Sequence, residues 1–221
     1  MTTQAGTKYE TVIGLEVHIQ LKTRSKMFCG CDREYFDAEP NTHVCPICLG
    51  MPGTLPVINQ EAVASTLLAG LALGCDLPAY AKFDRKNYPY PDLMKGYQIS
   101  QFDQPFCLDG ALEIEVDGAR RDVHLERIHL EEDTARLLHR DSGVETYSLM
   151  DVNRAGSPLM ELVTKPDMHS SAEAGAFLRT LRQVMRYLRI ADADMEKGGM
   201  RCDANVSLRP IGQAELGRKV E

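Results

Sequence analysis

VIGLEVHIQL, residues 12–21, is the stretch whose reading decides the fold. Its odd positions, Ile13, Leu15, Val17, Ile19 and Leu21, are apolar, whereas Gly14, Glu16, His18 and Gln20 between them are not. A period of two marks a β-strand with one buried face. Glu16 and His18 therefore project from the same, opposite side. Polar-out alternation also describes the wet face of an antiparallel sheet, so this strand alone leaves open whether that side is solvated or lines a site.

Working outward, the pattern recurs. In RIHLEED, Ile128 and Leu130 face one way and His129 and Glu131 the other, with Glu132 and Asp133 closing the strand. In CDANVSLRP, Cys202, Ala204, Val206 and Leu208 alternate with Asp203, Asn205, Ser207 and Arg209. LEIEV (112–116) runs into Asp117-Gly118, a hairpin signal, and the chain returns through 120–131. YSLMDVNR and PLMELV give further strands over 147–163, around Gly156 and Pro158. Two helices are expected. Asn59 caps one, with an apolar stripe of Val63, Leu67, Leu68 and Leu71 ending at Gly74. Ser170 and Glu173 form a capping box opening the other, whose stripe is Phe177, Leu181, Val184 and Leu188. Prolines and aromatics in FDRKNYPYPDLMKGYQISQFDQP forbid a long regular element there. The fold class is α+β, a mostly antiparallel sheet with packed helices.

The bulk properties narrow the function classes. Hydrophobic content of 43% and charged content of 26% suit a globular chain. No apolar run reaches the length of a membrane span, and MTTQAGTKYE lacks a secretory pattern, so a cytoplasmic protein without a membrane partner is expected. A net charge of −7 excludes a broad basic nucleic-acid surface; any such partner is held locally. The ending GRKVE reads as that of a partial chain.

Four of the seven cysteines are clustered. Cys29, Cys31, Cys45 and Cys48 follow a C-x-C-x13-C-x2-C spacing within a loop over 28–56, a donor set for tetrahedral structural Zn2+, with His43 able to replace one of them. The alternatives are a redox pair or reduced thiols. Four thiolates close the coordination sphere, so a metal there braces the loop and does no chemistry. Cys75, Cys107 and Cys202 lie in apolar contexts that suit packing.

Glu161, inside PLMELV, has no evident solvent face. A carboxylate there needs an ion-pair partner, such as Arg154 or Arg201, or a bound cation. If the acidic strand faces converge, several carboxylates with one histidine suit Mg2+ or Mn2+. No P-loop, no Rossmann glycine pattern and no G-x-S-x-G is present. Phosphoryl chemistry would then rest on metal positioning, with Lys82, Arg85, Lys86 and Lys95 as nearby cations. A zinc-braced binding scaffold that does no chemistry and a metal-dependent hydrolase are the competing readings.

Together, ETVIGLEVHIQL, CPICLGMPGTLPVIN, KFDRKNYPYPDLMKGYQISQFDQP, HLEEDTAR, DVNRAGSPLMELVTKPD and MRCDANVSLRP resemble the GatB family of the glutamyl/aspartyl-tRNA amidotransferases, from about residue 9 to the C-terminus. The resemblance implies a cradle-type catalytic domain over 1–221, with the family's C-terminal helical and tail domains absent. It implies ATP-dependent phosphorylation of the side-chain carboxylate of mischarged Glu-tRNA(Gln) or Asp-tRNA(Asn). Amide formation follows, using ammonia from a partner amidase (GatA), with a small third protein (GatC) bracing the heterotrimer. It further implies a divalent-metal site built from Glu16, His18, Glu131, Glu132, Glu161 and Asp203, with Glu16, His18, Glu131 and Glu132 as the catalytic group. Lys86, Lys95, Tyr97, Arg154, Arg201 and Asn205 are the candidates for contacting ATP or the tRNA 3′ end. The zinc cysteines are not universal in that family, which fits a structural role.

Overall fold

The computed structural model describes residues 8–221, so the absence of a secretory signal, read from the first ten residues, falls mostly outside it. The elements are β1 (Tyr9–Gln20), α1 (Gln60–Ala72), β2 (Asp84–Asn87), β3 (Tyr97–Ser100), β4 (Cys107–Leu108), β5 (Ala111–Val116), β6 (Ala119–Glu132), β7 (Arg136–Asp141), β8 (Thr146–Asp151), β9 (Pro158–Thr164), α2 (Ser171–Tyr187) and β10 (Met200–Pro210). The main sheet runs β10-β1-β9-β6-β4, with β5 paired to the first half of β6, and all its named pairings are antiparallel. β2–β3 and β7–β8 are separate two-stranded ribbons. The α+β expectation holds, and the proline-rich segment carries only the short β2 and β3.

Alternation does the work it promised. Leu15, Val17 and Ile19 of β1, Ile128 and Leu130 of β6, and Met160 and Leu162 of β9 are buried in one core with Phe177, Leu181 and Met185 of α2. Each such side chain contributes on the order of 1.5–3 kcal/mol on leaving water. Positive φ at Asp117 (54°) and Gly118 (78°) gives the β5–β6 turn the primed geometry that follows strand twist. Ser170 Oγ accepts from Glu173 N at the start of α2, and Asn59 Oδ1 accepts from Glu61 N (2.9 Å) at the start of α1.

The stripe of α1 is a correction. Leu68 and Leu71 are exposed (41% and 63%), and the buried face is Ala62, Thr66, Ala69 and Gly70. The helix lies so close to its neighbours that a Cβ on Gly70 would collide with Cys107 Sγ and press on Leu77. Only small residues permit that approach, so size and not hydrophobicity selects the buried face. On β10, an edge strand, the apolar side is also incompletely covered, and Leu208 is 56% exposed.

Register then builds a lattice on the other face. Directly paired residues on neighbouring strands share a face. Arg201, His18, Glu161 and His129 form one row across β10, β1, β9 and β6. Asp203, Glu16, Val163 and Arg127 form the next.

Candidate active site

The middle of this face is buried too: Glu161, Glu131 and His129 are 6%, 2% and 3% exposed, while His18 is half-buried. His18 Nε2 lies 3.3 Å, and His129 Nε2 3.2 Å, from the same Glu161 Oε2. Glu131 faces both rings, Oε1 at 3.7 Å from His18 and Oε2 at 3.8 Å from His129, while Ser100 Oγ donates to Oε2 at 2.9 Å. Asp203 Oδ2 approaches His18 Nδ1 at 3.8 Å. Asn205 Nδ2 donates to Glu16 Oε1 at 2.8 Å.

Burial acts against charge in this cluster and loses to pairing. It pulls the His18 imidazole down, but the hydrogen bond and charge of Glu161, with the charge of Glu131, raise it above its usual 6.5. His129 is likewise raised by Glu131 and Glu161 against its burial. Burial pushes the Glu161 carboxyl up, yet His129 and His18 hold it well below the usual range.

Ligand atoms of His18, Glu131 and Glu161 lie within 4.8 Å of one another. Two buried carboxylates with imidazole beside them are a donor set that a divalent cation satisfies, replacing protons as the neutralising charge. The pH dependence follows with its sign. The raised histidines stabilise divalent-free protein fully below pH 6.5 and lose that contribution as pH rises through their raised values. Glu161 stabilises above pH 4.5, and its contribution is lost as pH falls through its depressed value. Divalent-free protein should therefore lose Tm as pH rises above about 6.5, while Mn2+ affinity, which needs unprotonated ring nitrogen, rises over the same span. Titration calorimetry and melting at several pH values check this; an affinity flat across that span would remove the imidazoles from the site.

The structure brings together His18, Glu131 and Glu161, sets Asp203 and Glu16 at the margin, and does not bring Glu132 to them. Successive strand residues point to opposite faces, and Glu132 forms an ion pair with Lys95 and accepts from Ile99 N at 2.9 Å. Arg154 and Arg201 are not the partners of Glu161. Both turn to Asp133, Arg201 Nη2 at 3.2 Å and Arg154 Nε at 3.6 Å, and Gln20 Nε2 also donates to that carboxylate at 2.8 Å. Tyr97 lies under Arg85 (4.4 Å) and Lys95 (5.2 Å), and Lys86 sits over Tyr88 (5.9 Å). His129 was absent from the sequence-derived metal set, although its place beside Glu131 on the alternating face of RIHLEED was the signal that would have found it.

A cavity of about 760 Å3 opens on this cluster. Glu16, His129, Glu131 and Glu161 lie against it, and Lys82, Arg85, Lys86 and Arg127 line it as well. A separate cavity of about 230 Å3 lies between the cysteine loop and the Lys95–Glu132 pair.

Cys29, Cys31, Cys45 and Cys48 are free thiols gathered so that their sulfurs lie within 4.8 Å of one another; His43 is not in the group. The hydrogen bond from Cys29 pulls the Cys48 thiol down to about 4 against its burial, helped by Cys45 N–H and Lys26. Cys29 moves up correspondingly, first through the same bond with Cys48, and burial takes Cys31 up to about 11. The wholly buried Lys26 reaches Cys48 Sγ at 3.8 Å and donates to His43 O at 2.7 Å. Four gathered sulfurs, one of them drawn toward its thiolate, are a soft donor set that a thiophilic dication satisfies.

Along residues 11–221 the chain matches the family described as the GatB/GatE catalytic domain. It is 63% identical over 214 residues to the B-type subunit of the aspartyl/glutamyl-tRNA(Asn/Gln) amidotransferase of Thermomicrobium roseum, covering 97% of this chain and 44% of that protein. Proteins of the same name from Dehalococcoides mccartyi (strain CBDB1) and Carboxydothermus hydrogenoformans are 62% identical over 216 residues and 53% over 215, with the same shares covered. The chain thus spans less than half the length of these curated relatives.

Proposed function

Since this chain belongs to the GatB/GatE catalytic-domain family, we propose that residues 1–221 form the cradle domain of a tRNA-dependent amidotransferase and carry its kinase and amide-forming centre. The substrates are ATP and a tRNA mischarged with glutamate or aspartate. The side-chain carboxylate oxygen attacks the γ-phosphorus, and the bond to the β-phosphate oxygen breaks with its electron pair, leaving as ADP. Ammonia then attacks the acyl carbon, the bond from that carbon to the phosphate oxygen breaks, and inorganic phosphate departs carrying the proton that nitrogen gives up. A carboxylate is a poor acyl donor; phosphorylation supplies the leaving group. The observation that carries this reading is the buried His18–Glu161–His129–Glu131 cluster at the base of a cation-lined cavity.

His18, Glu131 and Glu161 would hold Mg2+ or Mn2+, with Asp203 and Glu16 as more distant acids and Glu132, turned to Lys95, outside the set. When bound, such an ion neutralises charge on the transferring phosphoryl group. The chain's own residues do the rest. His129 keeps Glu161 oriented, Ser100 fixes Glu131, and Asn205 holds Glu16. Asp133 gathers Arg154, Arg201 and Gln20 beside the site, which gives the tRNA 3′ end a fixed wall. Lys86, Lys95 and Tyr97 remain candidates for nucleotide or tRNA contact. The four cysteines hold structural Zn2+.

The partner amidase, GatA, delivers the ammonia, and the small GatC protein braces the assembly. A cytoplasmic site of action belongs to the same proposal; no helix among the described residues is long and apolar enough to cross a membrane. The test is ADP formation from Mg-ATP by the full-length protein with its amidase partner, with and without mischarged tRNA. Turnover that needs the mischarged tRNA is expected. Turnover indifferent to the tRNA, with folded components, would overturn the kinase assignment.

A further inference from the structure

Arg127 stands one row from the metal cluster. β6 puts Arg127, His129 and Glu131 on one face, two residues apart, and pairs Arg127 with Val163 where His129 pairs with Glu161. Their Cα atoms are thus about 7 Å apart along the strand, and both side chains line the 760 Å3 cavity. Its Nη1 donates to the adjacent Glu126 at 2.8 Å, a side chain itself 56% exposed. Its Nε is shielded from solvent and has no hydrogen-bond partner among the described residues.

The other cations of the cavity are engaged. Lys82 pairs with Asp84 (3.0 Å) and Asp103 (2.9 Å), while Arg85 and Lys86 lie over tyrosine rings. A cavity whose base carries three carboxylates repels a polyphosphate unless a cation faces it. An arginine with an unpartnered, desolvated N–H presents the planar fork that accepts two phosphoryl oxygens.

We propose that Arg127 is a catalytic residue: its guanidinium binds the γ-phosphoryl group of ATP beside the His18–Glu131–Glu161 cluster and neutralises it during transfer. The inference rests on the kinase reading above and adds to it the group that grips the phosphoryl oxygens. In the step it serves, one phosphorus–oxygen bond forms to the substrate carboxylate and one breaks to ADP. Arg127 gives up no proton and forms no covalent bond. It is worth most when charge spreads over the three equatorial oxygens, so its removal acts on kcat more than on the KM for ATP.

The experiment measures tRNA-dependent ADP formation in the assembled complex for wild type, Arg127→Gln, Arg127→Lys, Arg127→Ala with added guanidinium ion, and Glu126→Gln. Arg127→Gln is expected to lower kcat about 10²- to 10³-fold with only a few-fold change in KM for ATP. Guanidinium should restore part of the Arg127→Ala loss, and Glu126→Gln should match wild type. Glutaminase activity and Mn2+ binding, unchanged throughout, report folding. An Arg127→Gln enzyme within about threefold of wild type in kcat overturns the proposal. So does a loss shared equally by Glu126→Gln, which would make the pair structural. A wild type that makes no ADP with mischarged tRNA overturns the kinase reading itself, and this inference falls with it.

Discussion

In the His18→Ala protein, ADP formation driven by mischarged tRNA is expected to fall by about three orders of magnitude or more, while the amidase partner keeps its glutaminase activity. The size follows from what the ring touches. Its Nε2 sits 3.3 Å from Glu161 Oε2 and 3.7 Å from Glu131 Oε1, so its loss takes a proposed metal donor and leaves two buried carboxylates facing each other with only His129 between them. Like charges in that setting repel, and one of the pair takes a proton instead of a cation. His18→Gln, which keeps a polar atom at similar reach, should retain more Mn2+ affinity than His18→Ala. ADP assays and Mn2+ titrations on the assembled complex read both effects. Undiminished transamidation by His18→Ala would take the chemistry away from this strand.

Loss of zinc is the other large effect. Cys48→Ser is expected to drop zinc from about one per chain to none and to open residues 28–56 to limited proteolysis, because structural zinc contributes on the order of 10 kcal/mol to ordering such a loop. No helix or named strand lies between Gln20 and Gln60. Hydrogen bonds such as Met27 N to Gly156 O (2.7 Å) and His43 N to Asn153 Oδ1 (2.8 Å) fasten the segment to the turn before β9. That turn is close to the site: a Cβ on Gly156 would lie 3.7 Å from Cys48 Cβ and 3.9 Å from Glu132 Oε2. A disordered loop should therefore loosen the Lys95–Glu132 pair and lower activity as well as Tm. Metal analysis, melting and protease digestion are the measurements. Wild-type protein purified without chelator that carries no zinc, or a Cys48→Ser protein with an unaltered melt and digest, would remove the metal from this loop.

Sequence period carried most of the fold because burial follows it. β1, β5, β6 and β10 alternate visibly, and Asp117-Gly118, Asn59 and Ser170 mark their turn and caps by chemistry local to a few residues. Where the deciding contact is remote, the pattern misled. Leu68 and Leu71 form an apolar stripe on α1, but the separation set by Gly70 against Cys107 turns the small-residue face inward. RLLHRD, which became β7, has no strict alternation, and its partner β8 lies across a turn at Gly143. In the site, the face of His18 and the burial of Glu161 were legible. The partner of Glu161 was not: local reading left an arginine or a bound cation open, whereas register sets two histidines beside it and sends both arginines to Asp133. Register is a property of strand pairs, and no single strand states it. Glu132 shows the same limit, since adjacency in sequence to Glu131 means opposite faces in a strand.

β1, near the start of the chain, is paired on one side with β9 and on the other with β10. During synthesis it leaves the ribosome long before either neighbour exists. At 5–20 residues per second, the 144 residues from Gln20 to Thr164, the end of the earlier neighbour, take about 7–30 s to add. Throughout that interval VIGLEVHIQL is an extended-prone segment with an apolar side and two unsatisfied hydrogen-bonding edges, the form most apt to pair with another chain. Its polar residues on the opposite side, Glu16 and His18, then have an effect before the folded site exists. They keep the nascent strand from being apolar on both faces while it waits for the carboxylates and imidazole that will complete its site.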